Sequence, residues 1–299
     1  MALYYSDVFV LPLPSHHRFP MGKYVRLRSR LLASGEFRED DFRVPEGAAD
    51  GEITRAHCPE YLRRVAGGTL GAAEIRAIGF PWSERMVERS RRSSGATLAA
   101  AREAMSRGWS ANLAGGTHHA FRDRGEGFCV FNDAAIAARA LQVEAGLQRV
   151  AIVDCDVHQG NGTASIFAGD DSVFTFSIHG ARNFPFAKEA SDLDIDLADG
   201  TGDDEYLWHL ERGLDETLER ARPQLAIYLA GADPYEGDRL GRLKLTKRGL
   251  ARRDEHVLAT LRARGIPVAI AMAGGYARDI EDSVEIHANT ILTAQRLHS

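Results

Sequence analysis

The stretch Asp154-Cys155-Asp156-Val157-His158 sets two carboxylates and an imidazole at every second residue, and Gly115-Gly116-Thr117-His118-His119 sets two imidazoles side by side after a glycine pair. If the first stretch is a strand end and the turn after it, its period of two points all three groups one way. Two oxygens and one nitrogen with an open coordination position suit zinc or another transition metal. A further ligand must come from elsewhere. Asp233 in Gly231-Ala232-Asp233-Pro234 is the best candidate, because it follows an apolar strand where an unpaired carboxylate is costly to bury. His118 and His119 suit proton transfer near neutral pH, with Asp154 and Asn161 as partners for their second ring nitrogens. Tyr276, in Gly274-Gly275-Tyr276, suits a hydroxyl donor aimed at a developing oxyanion. The set points to metal-assisted hydrolysis.

Each group taken alone has a plainer reading. Asp and Asn-Gly are common where a strand meets a turn. A lone histidine usually serves structure, and a turn tyrosine packs on the surface. A calcium loop is excluded, because Ser165 stands where its bidentate Glu is needed. Asp192-Leu193-Asp194-Ile195-Asp196-Leu197 reads as a strand with one apolar and one solvated face, and not as a second metal site. His16 and His17 sit in a proline-rich loop and line an entrance at most. Glu88-Arg89-Ser90-Arg91-Arg92 reads as a solvated helix face.

The elements that must position these groups alternate from residue 109 onward. Strands are expected at 110–114, 149–154, 173–178, 224–230 and 267–273. Helices are expected at 132–145, with Asn132 or Asp133 as N-cap, and at 162–168, 203–220, 246–264 and 279–296. Runs such as Val150-Ala151-Ile152-Val153 and Val268-Ala269-Ile270-Ala271-Met272 are apolar throughout, as in strands of a parallel sheet covered on both faces. The first hundred residues are less regular, with helices expected at 25–32 and 88–107. The chemically loaded residues follow strand ends, and the carboxyl edge of a parallel sheet is where such folds bind ligands. The expectation is one α/β domain over residues 1–299. It is a three-layer sandwich with a mostly parallel central sheet and helices on both faces.

Composition narrows the function. A net charge of −5 gives no basic footprint for nucleic acid, and a mildly acidic surface favours a cationic substrate. No apolar run is long enough to span a bilayer, and the first residues lack a signal-peptide pattern. Three widely spaced cysteines, Cys58, Cys129 and Cys155, read as reduced thiols of a cytoplasmic protein.

Five blocks in order carry a resemblance: Gly115–Ala120, Gly127-Phe128-Cys129-Val130-Phe131-Asn132-Asp133, Asp154–Thr163, Gly231-Ala232-Asp233 and Gly274-Gly275-Tyr276. They resemble the histone deacetylase superfamily, of the arginase–deacetylase fold. Segments 11–24 and 183–206 look most like its class IV branch and bacterial relatives. The resemblance implies zinc, or iron(II), on Asp156, His158 and Asp233. It implies His119 as general base and then acid, His118 paired with Asp154 as a charged neighbour, Asn161 as the partner of His119, and Tyr276 as donor to the carbonyl oxygen. Gly116, Phe128, Phe184 and Leu240 would line a tube for an acylated lysine-like stem. A structural potassium ion would sit on Asp154, Ser177 and the carbonyls of Asp156, His158 and Ile178. Relatives carry Asp or Asn at position 161, and a neutral partner favours the free-base form of His119.

The activity so implied is removal of an acyl group, acetyl or longer, from an acylated lysine peptide or related amine. Two alternatives stand beside it: hydrolysis of an acetylpolyamine or other small acylated metabolite, and a non-catalytic acyl-lysine binding module. No membrane or direct nucleic-acid partner is expected, and oligomeric state is left open.

Overall fold

The computed structural model describes residues 1–14 and 17–299, so His16 lies outside the described residues. Eight strands form one sheet: β1 (Leu3–Tyr4), β2 (Phe42–Arg43), β3 (Trp109–Asn112), β4 (Val150–Asp154), β5 (Val173–Gly180), β6 (Leu193–Leu197), β7 (Leu225–Leu229) and β8 (Val268–Ala271). Their order is β2-β1-β3-β8-β7-β4-β5-β6, and every pairing is parallel. Strands β3 to β8 lie within a residue or two of their expected places. The two-residue strands β1 and β2 are too short to show a period.

The unbroken apolar runs are explained by two-sided burial. Along β4, Ala151 and Val153 enter one core cluster while Val150 and Ile152 enter the other. Val268 and Ile270 of β8 likewise face opposite to Ala269 and Ala271. The first cluster is closed by α1 (Lys23–Ala33), α8 (Asp203–Ala221), α9 (Lys247–Ala263) and α10 (Ile280–His298). The second is closed by α5 (Glu84–Arg107) and α6 (Asp133–Ala145), with the short helices α2 (Asp50–Ile53), α3 (Pro59–Ala66) and α4 (Ala72–Ile78) outside them. Those three short helices, like β1 and β2, belong to the first hundred residues and were not marked by the pattern. A further short helix, α7 (Asn161–Phe167), follows β4. No helix among the described residues is long and apolar enough to cross a membrane.

Local signals set the helix ends. Asn132 is the N-cap of α6 and accepts from Ala135 N. Asp133 does something else, described below. Ser83 caps α5, Thr246 caps α9 and Asp279 caps α10 with their side chains. β3, β8, β7 and β4 are neighbours in the sheet. The four loops singled out in the sequence therefore leave one contiguous stretch of the carboxyl edge.

Candidate metal centre and active site

Asp156, His158 and Asp233 come together, each offering a ligand atom within 4.8 Å of the others, and all three are buried. Backbone amides aim the carboxylates. Asp156 accepts from Gly274 N at 2.7 Å and from His158 N at 2.9 Å. Asp233 accepts from Val157 N at 2.9 Å. Residue 274 must be glycine here, because a Cβ would stand 1.8 Å from Asp233 Oδ2 and 2.6 Å from Asp156 Oδ2. His158 Nδ1 lies 2.8 Å from Asp156 Oδ1 and 3.3 Å from Asp233 Oδ2. The Asp233 Oδ2 atom is shielded from solvent and accepts no hydrogen bond among the described residues. Burial, and then the Asp156 charge, raise the Asp233 carboxyl above its ordinary range. Two buried carboxylates and an imidazole converging with an orphaned oxygen are the donor set of a divalent cation such as zinc or iron(II).

The inference from the period of two is corrected for Asp154, which does not join this group. β4 ends at Asp154, the chain then turns, and the Asp154 carboxylate meets His118 Nδ1 at 2.6 Å, the partner named for it in the sequence. Burial opposes a charge on His118, but Asp154 and Asp156 outweigh it and push this imidazole up to about 9. His119 is the opposite case. Burial, followed by the charges on His118 and His158, holds it well below the usual histidine range.

The partner of His119 fixes its tautomer. Asn161 Nδ2 donates to Glu126 Oε1 at 2.6 Å, so Asn161 Oδ1 must face His119 Nδ1, 2.7 Å away. An oxygen there requires a proton on Nδ1, which leaves Nε2 as the free base. Gly127 makes room for the ring, since a Cβ at that position would lie 2.6 Å from His119 Cδ2. Tyr276 lines the same cavity. Burial, then the Asp233 and Asp156 charges, raise its hydroxyl well above the ordinary tyrosine range, so it stays a proton donor.

The cavity has a volume of about 740 Å³, and His118, His119, Asp156, His158 and Tyr276 all line it. So do Gly116, Phe128, Phe184 and Leu240. Phe128 sits at φ +66°, a conformation a bulky residue adopts at a cost, and its ring lies 6.1 Å from that of Tyr276. Phe184 meets His119 edge to face at 4.9 Å. His17 bonds Gly79 O and packs behind Phe128. On the far side of the metal group, the β4–β5 register places Asp154 opposite Ser177, with Ile178 next along the strand.

Four positioning residues escaped the sequence reading. Asp133 accepts from Gly116 N, Thr117 N and Thr117 Oγ1 and so holds the loop that carries His118 and His119. Asp238 accepts from Tyr276 N at 2.6 Å and from Leu240 N and Gly241 N, tying the β7 loop to the β8 loop. Glu126 backs Asn161. Arg253 donates to Cys155 O and Gly231 O, between the loops that carry the metal group. Asp133 had a visible signal, since it follows the N-cap and one acid suffices there. Asp238 and Glu126 sit in loops with no periodicity to interpret, whereas Arg253 lies on the buried stripe of α9 with Leu250 and Val257.

The solvated-face reading of residues 88–92 is also corrected. Arg91 and Arg92 tie down residues 45–50, and Arg89 is buried against the cavity. Met86, Arg89, Ser93, Ala96, Ala100 and Ala104 recur at helical spacing along one buried stripe of α5. That spacing is the signal that identifies Arg89. The cavity is moreover cationic. Arg18, Arg89, Arg182, Arg239 and Arg242 line it beside the carboxylate of Asp156, with Asp199 outside the lining facing Arg182 and Arg242, so an acidic net charge does not describe the site.

Residues 17–291 match the family described as histone deacetylase domain. The chain is 44% identical over 286 residues to an uncharacterised protein of Picosynechococcus sp., covering 96% of this chain and 95% of that one. It is 31% identical over 292 residues to Histone deacetylase 2 of Arabidopsis thaliana, covering 93% of this chain and 76% of that one. Among solved structures, an HDAC homologue complexed with SAHA superposes with a TM-score of 0.83 at 22% identity, over 98% of this chain and 83% of that one.

Proposed function

The chain belongs to the histone deacetylase family of hydrolases, and from that premise we propose that it is a zinc-dependent amidohydrolase that removes an acyl group from an acylated lysine or related amine. The observation that carries the reading is the meeting of Asp156, His158 and Asp233 with His118, His119 and Tyr276 on one cavity. Zinc or iron(II), held by the first three, would polarise the acyl carbonyl and lower the pKa of a bound water to about 7.

The chain's own groups supply the rest. His119 Nε2, free and uncharged, accepts the proton of the attacking water and passes it to the leaving amine. His118, charged beside Asp154, keeps His119 neutral in the resting site. The Tyr276 hydroxyl donates to the oxygen that gains charge. Gly116, Phe128, Phe184 and Leu240 hold the stem of the acylated side chain. A potassium ion on Asp154, Ser177 and the carbonyls of Asp156, His158 and Ile178 would counter the carboxylate behind His118. Placement in the class IV branch and in the cytoplasm belongs to the same proposal.

The arginines of the cavity argue against an acetylpolyamine, a polycation that this lining repels. A pure binding module has no use for a neutral His119 opposed to a proton-donating Tyr276. The test is hydrolysis of acetyl-, octanoyl- and myristoyl-lysine peptides and acetylpolyamines by metal-loaded protein, with chelator and His119→Ala controls. Turnover of acyl-lysine lost in both controls supports the reading. No turnover by protein carrying one metal per chain refutes it.

A further inference from the structure

Arg89 is the one buried cation of the cavity wall that nothing described here neutralises. It is 7% exposed, and its Nη1 is shielded from solvent with no hydrogen-bond partner among the described residues. Its guanidinium carbon stands 4.8 Å from the centre of the Tyr24 ring, which supports it without cancelling its charge. The buried Asp133 carboxylate is already occupied by Thr97, Thr117 and the amides of Gly116 and Thr117. Leaving a charged guanidinium buried and unpaired is costly. The anion whose two oxygens match its fork is a carboxylate.

The cavity's polarity says which half of a substrate meets Arg89. Arg182 and Phe186 at its mouth are largely exposed, whereas Arg89, Ser93, Leu11 and Val130 are buried. In an acylated lysine the amine half carries the peptide and must remain at the mouth. The acyl half goes inward. Resting on the deacylase reading above, we propose that Arg89 makes the inner end of the cavity a carboxylate subsite, and that the acyl groups removed best carry a carboxylate at their far end, as succinyl and glutaryl groups do. Hydrolysis balances with water alone. The C–N bond breaks, water oxygen joins the acyl carbon, and the products are the lysine ammonium and a dicarboxylate.

The experiment compares kcat/KM of metal-loaded wild type, Arg89→Met and Arg89→Lys for acetyl-, butyryl- and succinyl-lysine peptides. Alongside it, calorimetry measures binding of free succinate, acetate and butyrate to the same proteins. Wild type is expected to favour succinyl over butyryl by about tenfold or more, the scale of one charge-assisted contact. Arg89→Met is expected to reverse that order with metal content intact, and Arg89→Lys to fall between. If Arg89→Met does not fold, Arg89→Gln and Arg89→Lys carry the same comparison. A change confined to carboxylate binding, with the succinyl-to-butyryl ratio unmoved, would mean that only the released product uses the subsite and would overturn the substrate half. No change in ratio or in carboxylate binding overturns the whole proposal. Wild type that hydrolyses nothing yet binds succinate through Arg89 keeps the subsite and sinks the deacylase reading.

Discussion

Two stretches of this chain carry the same written pattern and do different things. Asp154-Cys155-Asp156 lies where the central strand β4 gives way to a loop, and Asp192-Leu193-Asp194-Ile195-Asp196 lies on and beside the edge strand β6. In the first, the acids are buried, Asp154 accepting from Asp156 N, and Asp156 from His158 N of its own loop and Gly274 N of the β8 loop. In the second, each acid is answered locally. Asp192 accepts from Thr175 N and Oγ1 at 2.8 Å, Asp194 from Gln159 and Ser191, and Asp196 lies 2.8 Å from His179 Nε2. Alternating acids become a reactive cluster only where the sheet brings other strand ends over them. At an edge, solvent and the one adjacent strand satisfy them.

The sharpest break of that contrast is removal of a carboxylate from each region. Asp156→Ala or Asp233→Ala should abolish stoichiometric metal binding and turnover together, by elemental analysis and assay. Asp192→Asn and Asp196→Asn should leave both unchanged. Equal metal loss from the two regions would erase the distinction.

Next in size is Tyr276→Phe, which should cost about 10²–10³ in kcat with metal content intact, since one preorganised donor is lost. A Tyr276→Phe protein with full kcat would remove the oxyanion role.

Asn161→Asp tests the neutral partner. A carboxylate facing Nδ1 would raise the His119 pKa from its depressed position. The reaction needs the free base, so activity is lost as pH falls through that pKa. Raising it moves the acid limb of kcat/KM to higher pH, by about one unit. Glu126→Gln removes the charge behind Asn161 and should move the limb the other way by less.

The smallest effect belongs to the edge. Asp192→Asn keeps the shape but weakens the hydrogen bonds from Thr175, and should lower stability by about 1 kcal/mol in denaturant unfolding. A larger loss would mean that the β6 acids hold the sheet edge more firmly than local satisfaction implies.

Most of the parallel sheet was legible because two-sided burial writes continuous apolar runs such as Val150–Val153. Helices such as α9 and α10 were legible through their spacing and caps. The residues of the site were legible as types at strand ends. What stayed hidden were contacts between distant segments: Asp238 under Tyr276, Glu126 behind Asn161, and Arg253 of α9 beneath the carbonyls of Cys155 and Gly231. No local period names their partners, which lie some 22 to 98 residues away. Arg89 was misjudged for a related reason. Its basic neighbours suggested water, while the stripe it shares with Ser93 and Ala96 faces inward.

By itself the sequence determined the layered α/β fold and the kinds of group available at its carboxyl edge, since hydrophobic periodicity and residue chemistry are local properties. The period of the stretch does not distinguish its two acids; apart from the family resemblance, only the tertiary structure decided which acid meets which imidazole. Asp154 and Asp156 are two residues apart, yet one pairs with His118 and the other joins His158 and Asp233. Burial then gives those pairings their chemistry. Low polarity magnifies each neighbouring charge, so two adjacent histidines of one type are pushed in opposite directions from the usual histidine range.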